Sequence, residues 1–509
     1  MPSVAFFIAL GLLPAVALAT KTVDTANGEI VGHVSSSHAG VVEYLGIPFA
    51  QPPVGSLRFE APAKRCKQVW NDGLDGLIRM NSDCPYTLSS AYSYPDEYEP
   101  VFTDVMKAFV GSEYNRTQSE DCLTLNVWAN NDSDEKKPVY VHFYGGRYTS
   151  GATNTPFYSG ADLASTEDVI VVTANYRMNV FGFPGIPDHS SNLGLLDQRA
   201  AVEWVRDNIA AFGGDASRIV ISGQSCGSAM VDYWAYAWPE DPIVAGIISH
   251  SGTSLSFEVN SADLSAQHWA DLTGLLGCNT TADALACMKE QTVADLLAMA
   301  ATIAPPASTS AARKQPSFEP TVDNVTIFAD YVTLADSGKF ARVPYLVGHN
   351  DNEAGFYKIA AYLEGANLTA AEWLEFEEET FVCPSDFSAA ARIAHGVPSW
   401  RFRYFADWNN TRLYPTSGAY HGVDLNMVFG NSALYTDIPE SDAQLKLQAK
   451  MQAAWAAFIA NPTAGLTKLG FPEFDLDAAT LISLGYNNEG AITLRHPSEY
   501  NAACSNITL

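Results

Sequence analysis

The sequence predicts an α/β chain built on one large, mainly parallel sheet with helices on both faces. Apolar runs without alternation recur at 139–143, 169–173, 219–221, 246–248 and 345–347. Continuous runs of that length suit strands covered on both sides. Between the second and third runs, Leu195, Val202, Val205 and Ile209 recur at helical spacing. Strand, helix and strand in alternation imply parallel pairing. A third observation is local: Gly223-Gln224-Ser225-Cys226-Gly227 spells G-x-S-x-G between the strand-like 218–222 and a helix beginning near Ser228. A serine on so sharp a turn has its hydroxyl pushed clear of the backbone, and the flanking glycines keep neighbouring elements from clashing.

From the N-terminus, residues 1–19 carry no charge, hold the apolar run 5–13 and end in Ala17-Leu18-Ala19. They read as a secretory signal peptide cut after Ala19, although the usual basic start is missing. Residues 20–60 read as short strands and turns, with 30–34 as a strand and a Pro-rich stretch at 46–53. Residues 260–310 and 361–395 are rich in Ala, Leu and Glu and read as helical insertions, more as packing helices than as a pocket roof. Without a Gly/Ser linker, charge block or internal repeat, 20–509 are expected to form a single domain. No segment after residue 19 is apolar enough for a bilayer span, so no integral membrane segment is expected.

Seven Asn-x-Ser/Thr sequons, at Asn115, Asn131, Asn279, Asn324, Asn367, Asn409 and Asn506, fit a chain that passes through a glycosylating pathway and is secreted. The formal charge of -28, from 57 acidic and 29 basic residues, argues against a nucleic-acid partner. Most of the eight cysteines should pair in an oxidising compartment. Cys278 and Cys287 are near enough for a small ring and Cys84 with Cys122 would close a longer loop, but spacing leaves connectivity open. Cys226 reads as a free buried thiol, and of Cys66, Cys383 and Cys504 the expected pair is Cys383 with Cys504.

Several stretches then match one family in order: Tyr44-Leu45-Gly46-Ile47-Pro48-Phe49-Ala50, Ser119-Glu120-Asp121-Cys122-Leu123-Thr124-Leu125-Asn126-Val127, Asn175-Tyr176-Arg177, Asn192-Leu193-Gly194-Leu195-Leu196-Asp197-Gln198-Arg199 and Phe212-Gly213-Gly214-Asp215. With the serine motif they resemble the type-B carboxylesterases, which include cholinesterases and large fungal lipases. The resemblance covers nearly all of residues 20–509. It implies the α/β-hydrolase fold, disulfides Cys84–Cys122 and Cys278–Cys287, a small-molecule ester substrate, and no metal or organic cofactor.

A serine hydroxyl needs a base within hydrogen-bond reach, and the base needs a third group to orient it. In α/β-hydrolases the chain order is Ser, then Asp or Glu, then His. Ser225 is the expected nucleophile, and His421, in Tyr420-His421-Gly422, falls at the family's histidine. Glu353 falls at the family's acid, in a loop after the run 345–347, with Asp351 as rival two residues earlier. The donors for the developing oxyanion are expected from Gly146, Arg147 and Cys226, and substrate contacts from Gly145, Tyr148 and Gln224.

Three positions depart from the family. Arg147 replaces a third glycine; turned inward, its guanidinium would favour a substrate with an anion near the ester. Gln224 stands where many relatives have Glu, which removes a charge beside the nucleophile and disfavours cationic substrates. Cys226 replaces a small alanine. Between Cys84 and Cys122, Val101, Val105, Met106 and Phe109 could line one face of a lid-like helix.

The expected activity is secreted serine ester hydrolysis, more on soluble esters than at an oil surface. Two alternatives keep the fold: acyl transfer or cyclisation with the same triad, and a non-catalytic binding protein. Oligomeric state is not predicted.

Overall fold

The computed structural model describes residues 20–65, 82–87, 92–110, 117–130, 135–281, 283–305 and 315–507. The expected signal peptide, Cys66, Asn115 and Asn131 lie outside the described residues.

Twelve strands form one sheet: β1 Thr20–Thr25, β2 Gly28–Val34, β3 Val41–Pro48, β4 Thr124–Asn130, β5 Lys137–Phe143, β6 Ile170–Ala174, β7 Gly214–Gln224, β8 Gly246–His250, β9 Tyr345–Asn350, β10 Ser399–Tyr404, β11 Leu481–Leu484 and β12 Ile492–Arg495. Their spatial order is β1-β2-β3-β4-β6-β5-β7-β8-β9-β10-β11-β12. Pairing is parallel from β6 to β11 and antiparallel among β1 to β4, between β4 and β6, and between β11 and β12. Every residue of β5, β6, β8 and β9 is buried. That explains why these strands read as unbroken apolar runs: helices cover both faces and leave no side for alternating polar residues. With the helices around it, this is the α/β-hydrolase fold.

Several polar residues of the family-like stretches act as struts. Arg177 donates from Nε to Asp197 Oδ2 and from Nη2 to Asp197 Oδ1, both at 2.8 Å. Asn175 Oδ1 accepts the Thr153 N–H at 3.1 Å, and Asn192 Nδ2 donates to Thr321 O at 2.8 Å. Arg58 meets Glu120 in a two-pronged ion pair, Nε to Oε1 at 2.7 Å and Nη2 to Oε2 at 2.5 Å. Two parallel bonds fix geometry as well as charge.

The helix expected around 195–209 spans Leu193–Asn208, and the helix after the serine spans Cys226–Ala237. The 260–310 insertion forms helices Ala262–Leu275, Ala284–Lys289 and Val293–Ala300, which pack with Phe59, Val180 and Phe181 into a satellite core. Disulfides join Cys84 to Cys122, Cys278 to Cys287 and Cys383 to Cys504, and Cys226 is free and buried. Asn279, Asn324, Asn367, Asn409 and Asn506 are all exposed. Among the described residues, no helix is long and apolar enough to cross a membrane.

Candidate active site

Ser225 occupies the turn between β7 and the helix Cys226–Ala237, with φ 58° and ψ −127°. Backbone strain of that kind costs on the order of 1–3 kcal/mol and persists only where the surroundings enforce it. Here they do. A Cβ on Gly223 would lie 2.1 Å from Gly227 O, and one on Gly227 would lie 2.3 Å from Tyr144 O. The Ser225 N–H is held by His250 O at 2.9 Å, from the end of neighbouring β8.

Glu353 and His421 come from the loops beyond β9 and β10. His421 Nδ1 lies 2.5 Å from Glu353 Oε2, and both side chains are buried. The other carboxylate oxygen, Oε1, accepts the Ser251 hydroxyl and the Asn350 N–H, each at 2.6 Å. Three donors on one carboxylate fix its plane. With the Nδ1 proton directed at Glu353, Nε2 presents its lone pair. The Gln224 Nε2 amide donates to it at 2.9 Å, and the Tyr357 hydroxyl lies 3.4 Å away. Ser225 and His421 line the same cavity of about 440 Å³. Asp351, the rival acid, instead takes the Arg403 Nε–H at 2.9 Å and is 40% exposed.

The cavity floor includes Gly145, Gly146, Arg147 and Gln224; its walls and roof include Tyr92, Phe109, Tyr158, Phe356 and Tyr357. Phe109 lies in the last turn of the helix Val101–Val110, whose Val101, Val105 and Met106 are buried. Its ring meets Phe356 edge-on at 5.2 Å. Phe356 belongs to the helix Ala354–Leu363, which supplies more of the roof than the 361–395 stretch. Among the described residues, no cluster of three or more His, Cys, Asp or Glu could hold a metal ion.

The model of the carboxylesterase family matches residues 19–382. The chain belongs to the carboxylesterase family. Among its relatives, the chlorogenic acid esterase of Aspergillus niger is 35% identical over 457 residues, 88% of this chain and 84% of that one. Secreted lipase 5 of Gibberella zeae is 29% identical over 92% of this chain and 91% of its own length. The para-nitrobenzyl esterase of Bacillus subtilis is 29% identical over 89% and 92%. This carboxylesterase is accordingly a carboxylic-ester hydrolase.

Two residues shape the floor of this carboxylesterase site, Arg147 and Cys226. Arg147 stands at φ 54° and the following Tyr148 at φ 58°, so the loop keeps a backbone that favours glycine with two side chains on it. The Arg147 charge reaches both Tyr357 in the cavity and the buried Glu319. Burial pushes the Glu319 carboxyl well above the usual range, the Glu258 charge adds to that, and Arg147 opposes it.

Cys226 Sγ accepts the Tyr148 N–H at 3.2 Å and is also bonded by the Arg147 N–H. The Arg147 N–H expected as an oxyanion donor is therefore directed at the buried thiol, a weak acceptor. Tyr148 is a correction. Its side chain is buried, packs edge-on against Phe183 and Phe257, and is absent from the cavity lining, so it is a core residue and not a substrate contact.

Sequence reasoning missed Ser251, Asn350 and Tyr357, which have no motif of their own. It also missed the buried pair behind the nucleophile, in which His250 Nδ1 meets Asp424 Oδ2 at 2.6 Å. The position of Asp424, three residues after His421, was the available signal.

Proposed function

We propose that this carboxylesterase is a secreted serine esterase that works through an acyl-enzyme on Ser225. Ser225 Oγ attacks the ester carbonyl as its proton passes to His421 Nε2, and Glu353 orients His421 and stabilises its cationic form. The oxyanion takes donors from Gly146, Arg147 and Cys226, the thiol yielding the Arg147 amide as the negative charge develops. The observation that carries this reading is the 2.5 Å contact from Glu353 Oε2 to His421 Nδ1, on a histidine that shares its cavity with Ser225. Secretion is supported by the apolar residues 1–19, three disulfides and exposed sequons at Asn279, Asn324, Asn367, Asn409 and Asn506.

The lining supports a substrate class. Aromatic walls with Arg147 among the lining residues favour an ester that carries an anion, in line with a relative named for chlorogenic acid. Gln224, uncharged, adds no repulsion toward such an anion.

A fluorophosphonate probe should label the wild type at Ser225, and Ser225→Ala should lose both labelling and ester hydrolysis by several orders of magnitude. Folded wild type that does not label would point to a binding protein. Labelled protein that yields a transferred or cyclised acyl product instead of free acid would point to a transferase.

A further inference from the structure

Tyr357 lies four residues after Glu353, one turn into the helix Ala354–Leu363, so the two side chains share a helix face. Its ring is fixed from behind by Phe376, edge-on at 4.8 Å, and by Phe381 at 6.0 Å. In front, it sits 5.0 Å from the His421 ring. The hydroxyl then reaches two reacting atoms. It lies 3.4 Å from His421 Nε2, and it faces the Ser225 side chain, with which it interacts across the same cavity. It also faces the substrate cavity.

A group that reaches both the nucleophilic oxygen and the base nitrogen stands where the proton is handed on, beside the oxygen that leaves the acyl carbon. The amides of the 145–147 loop serve the other oxygen, the one that becomes the oxyanion. The geometry points to Tyr357 as a further catalytic residue, a hydrogen-bond donor to the departing alcohol oxygen. This rests on the Ser225, His421 and Glu353 assignment above.

As Ser225 Oγ bonds to the acyl carbon, its proton moves to His421 Nε2. The bond from the acyl carbon to the alcohol oxygen then breaks, and the same proton passes from Nε2 to that oxygen. Tyr357 shares its own proton with the departing oxygen and keeps it throughout. In deacylation, water takes the place of the alcohol and the steps run in reverse order. Burial holds the phenol well above its usual range, and the Glu353 charge adds to that, so the group remains a neutral donor at any pH the enzyme meets. Gln224 Nε2 lies 2.9 Å from the same nitrogen, so its amide has to give way for the base to take the serine proton.

The test is the dependence of rate on the leaving alcohol. Tyr357→Phe should lower kcat for alkyl esters roughly 10- to 100-fold, because an alkoxide needs the donor most. For nitrophenyl esters of the same acid, whose leaving group is already stable as an anion, the loss should stay under about threefold. Labelling of Ser225 by fluorophosphonate should remain stoichiometric. Equal losses on both ester series would mean a structural role and overturn the inference, as would no loss on either. Should Tyr357→Phe fail to fold, placing 3-fluorotyrosine at position 357 supplies a stronger donor. It should flatten the leaving-group dependence, and an unchanged slope would overturn the inference. Wild-type protein that neither labels nor hydrolyses marks failure of the triad reading itself, which is a separate result.

Discussion

Glu377→Gln tests how the surroundings of Glu353 are held together. Glu377 Oε1 accepts the Ala354 N–H at 2.8 Å, directly after Glu353 in the chain. Burial raises its carboxyl from 4.5 to about 7; the Ala354 bond opposes this and the Glu353 charge adds to it. From 4.5 to 7 is two and a half pH units, and at 1.36 kcal/mol per unit the charged form costs about 3 kcal/mol more in the folded than in the unfolded chain.

Between those two pH values the folded state holds a proton that the unfolded chain has lost. Stability therefore falls as pH rises from 4.5 to 7 and is level on either side. Glutamine cannot ionise, and its amide oxygen can still accept from Ala354. The variant should match the wild type near pH 4 and exceed it at pH 8 by up to about 3 kcal/mol. With ~2.1 cal/mol/K per residue over the whole chain, that is about 3 °C in Tm. Differential scanning calorimetry at the two pH values reads it directly. A difference of the same size at both pH values would refute the reasoning. So would a variant less stable than wild type at pH 8, since either result would mean that the Glu377 charge is well solvated or well paired.

Arg147→Gly should raise KM for esters with a carboxylate near the scissile bond by about tenfold or more and leave neutral esters within about threefold; equal effects on both, measured in a matched ester panel, would remove the guanidinium from substrate recognition. Burial pushes the Cys226 thiol up to about 11, so little thiolate exists at pH 8 and iodoacetamide should leave activity intact over hours. Rapid inactivation that Cys226→Ala abolishes would show the thiol to be reachable.

The strands of the central sheet were legible because burial on both faces leaves mostly apolar residues to read, as in 139–141 and 345–347. β10 was missed: its sequence SWRFRY places Arg401 inside, where Nη1 meets Asp386 Oδ1 at 2.6 Å, and a buried arginine breaks the apolar run. β11 and β12, four residues each, are too short to show a pattern. Ser225, Glu353 and His421 were read from order and local motif, and the structure brings Glu353 onto His421 in a cavity that Ser225 shares. The residues that hold them were not: Ser251 and Asn350 act through one hydroxyl and one backbone amide, and no residue type advertises such a role. Tyr148 was misplaced because its neighbours in sequence, Gly146 and Arg147, do line the cavity, while its own ring is buried against Phe183 and Phe257.

The Ser225 amide hangs from the end of β8 through His250 O, and the Glu353 carboxylate is held by Ser251 beyond β8 and Asn350 of β9. The proposed reactive groups are thus laced across three adjacent parallel strands in the middle of a twelve-stranded sheet. The cavity's roof has a different character, built from the helices Val101–Val110 and Ala354–Leu363 that stand outside the sheet. Heating or mild denaturant would then act on the two unevenly. Selectivity among esters, which depends on the roof, would blur first, while the capacity to cleave an ester at all would persist until the sheet itself came apart.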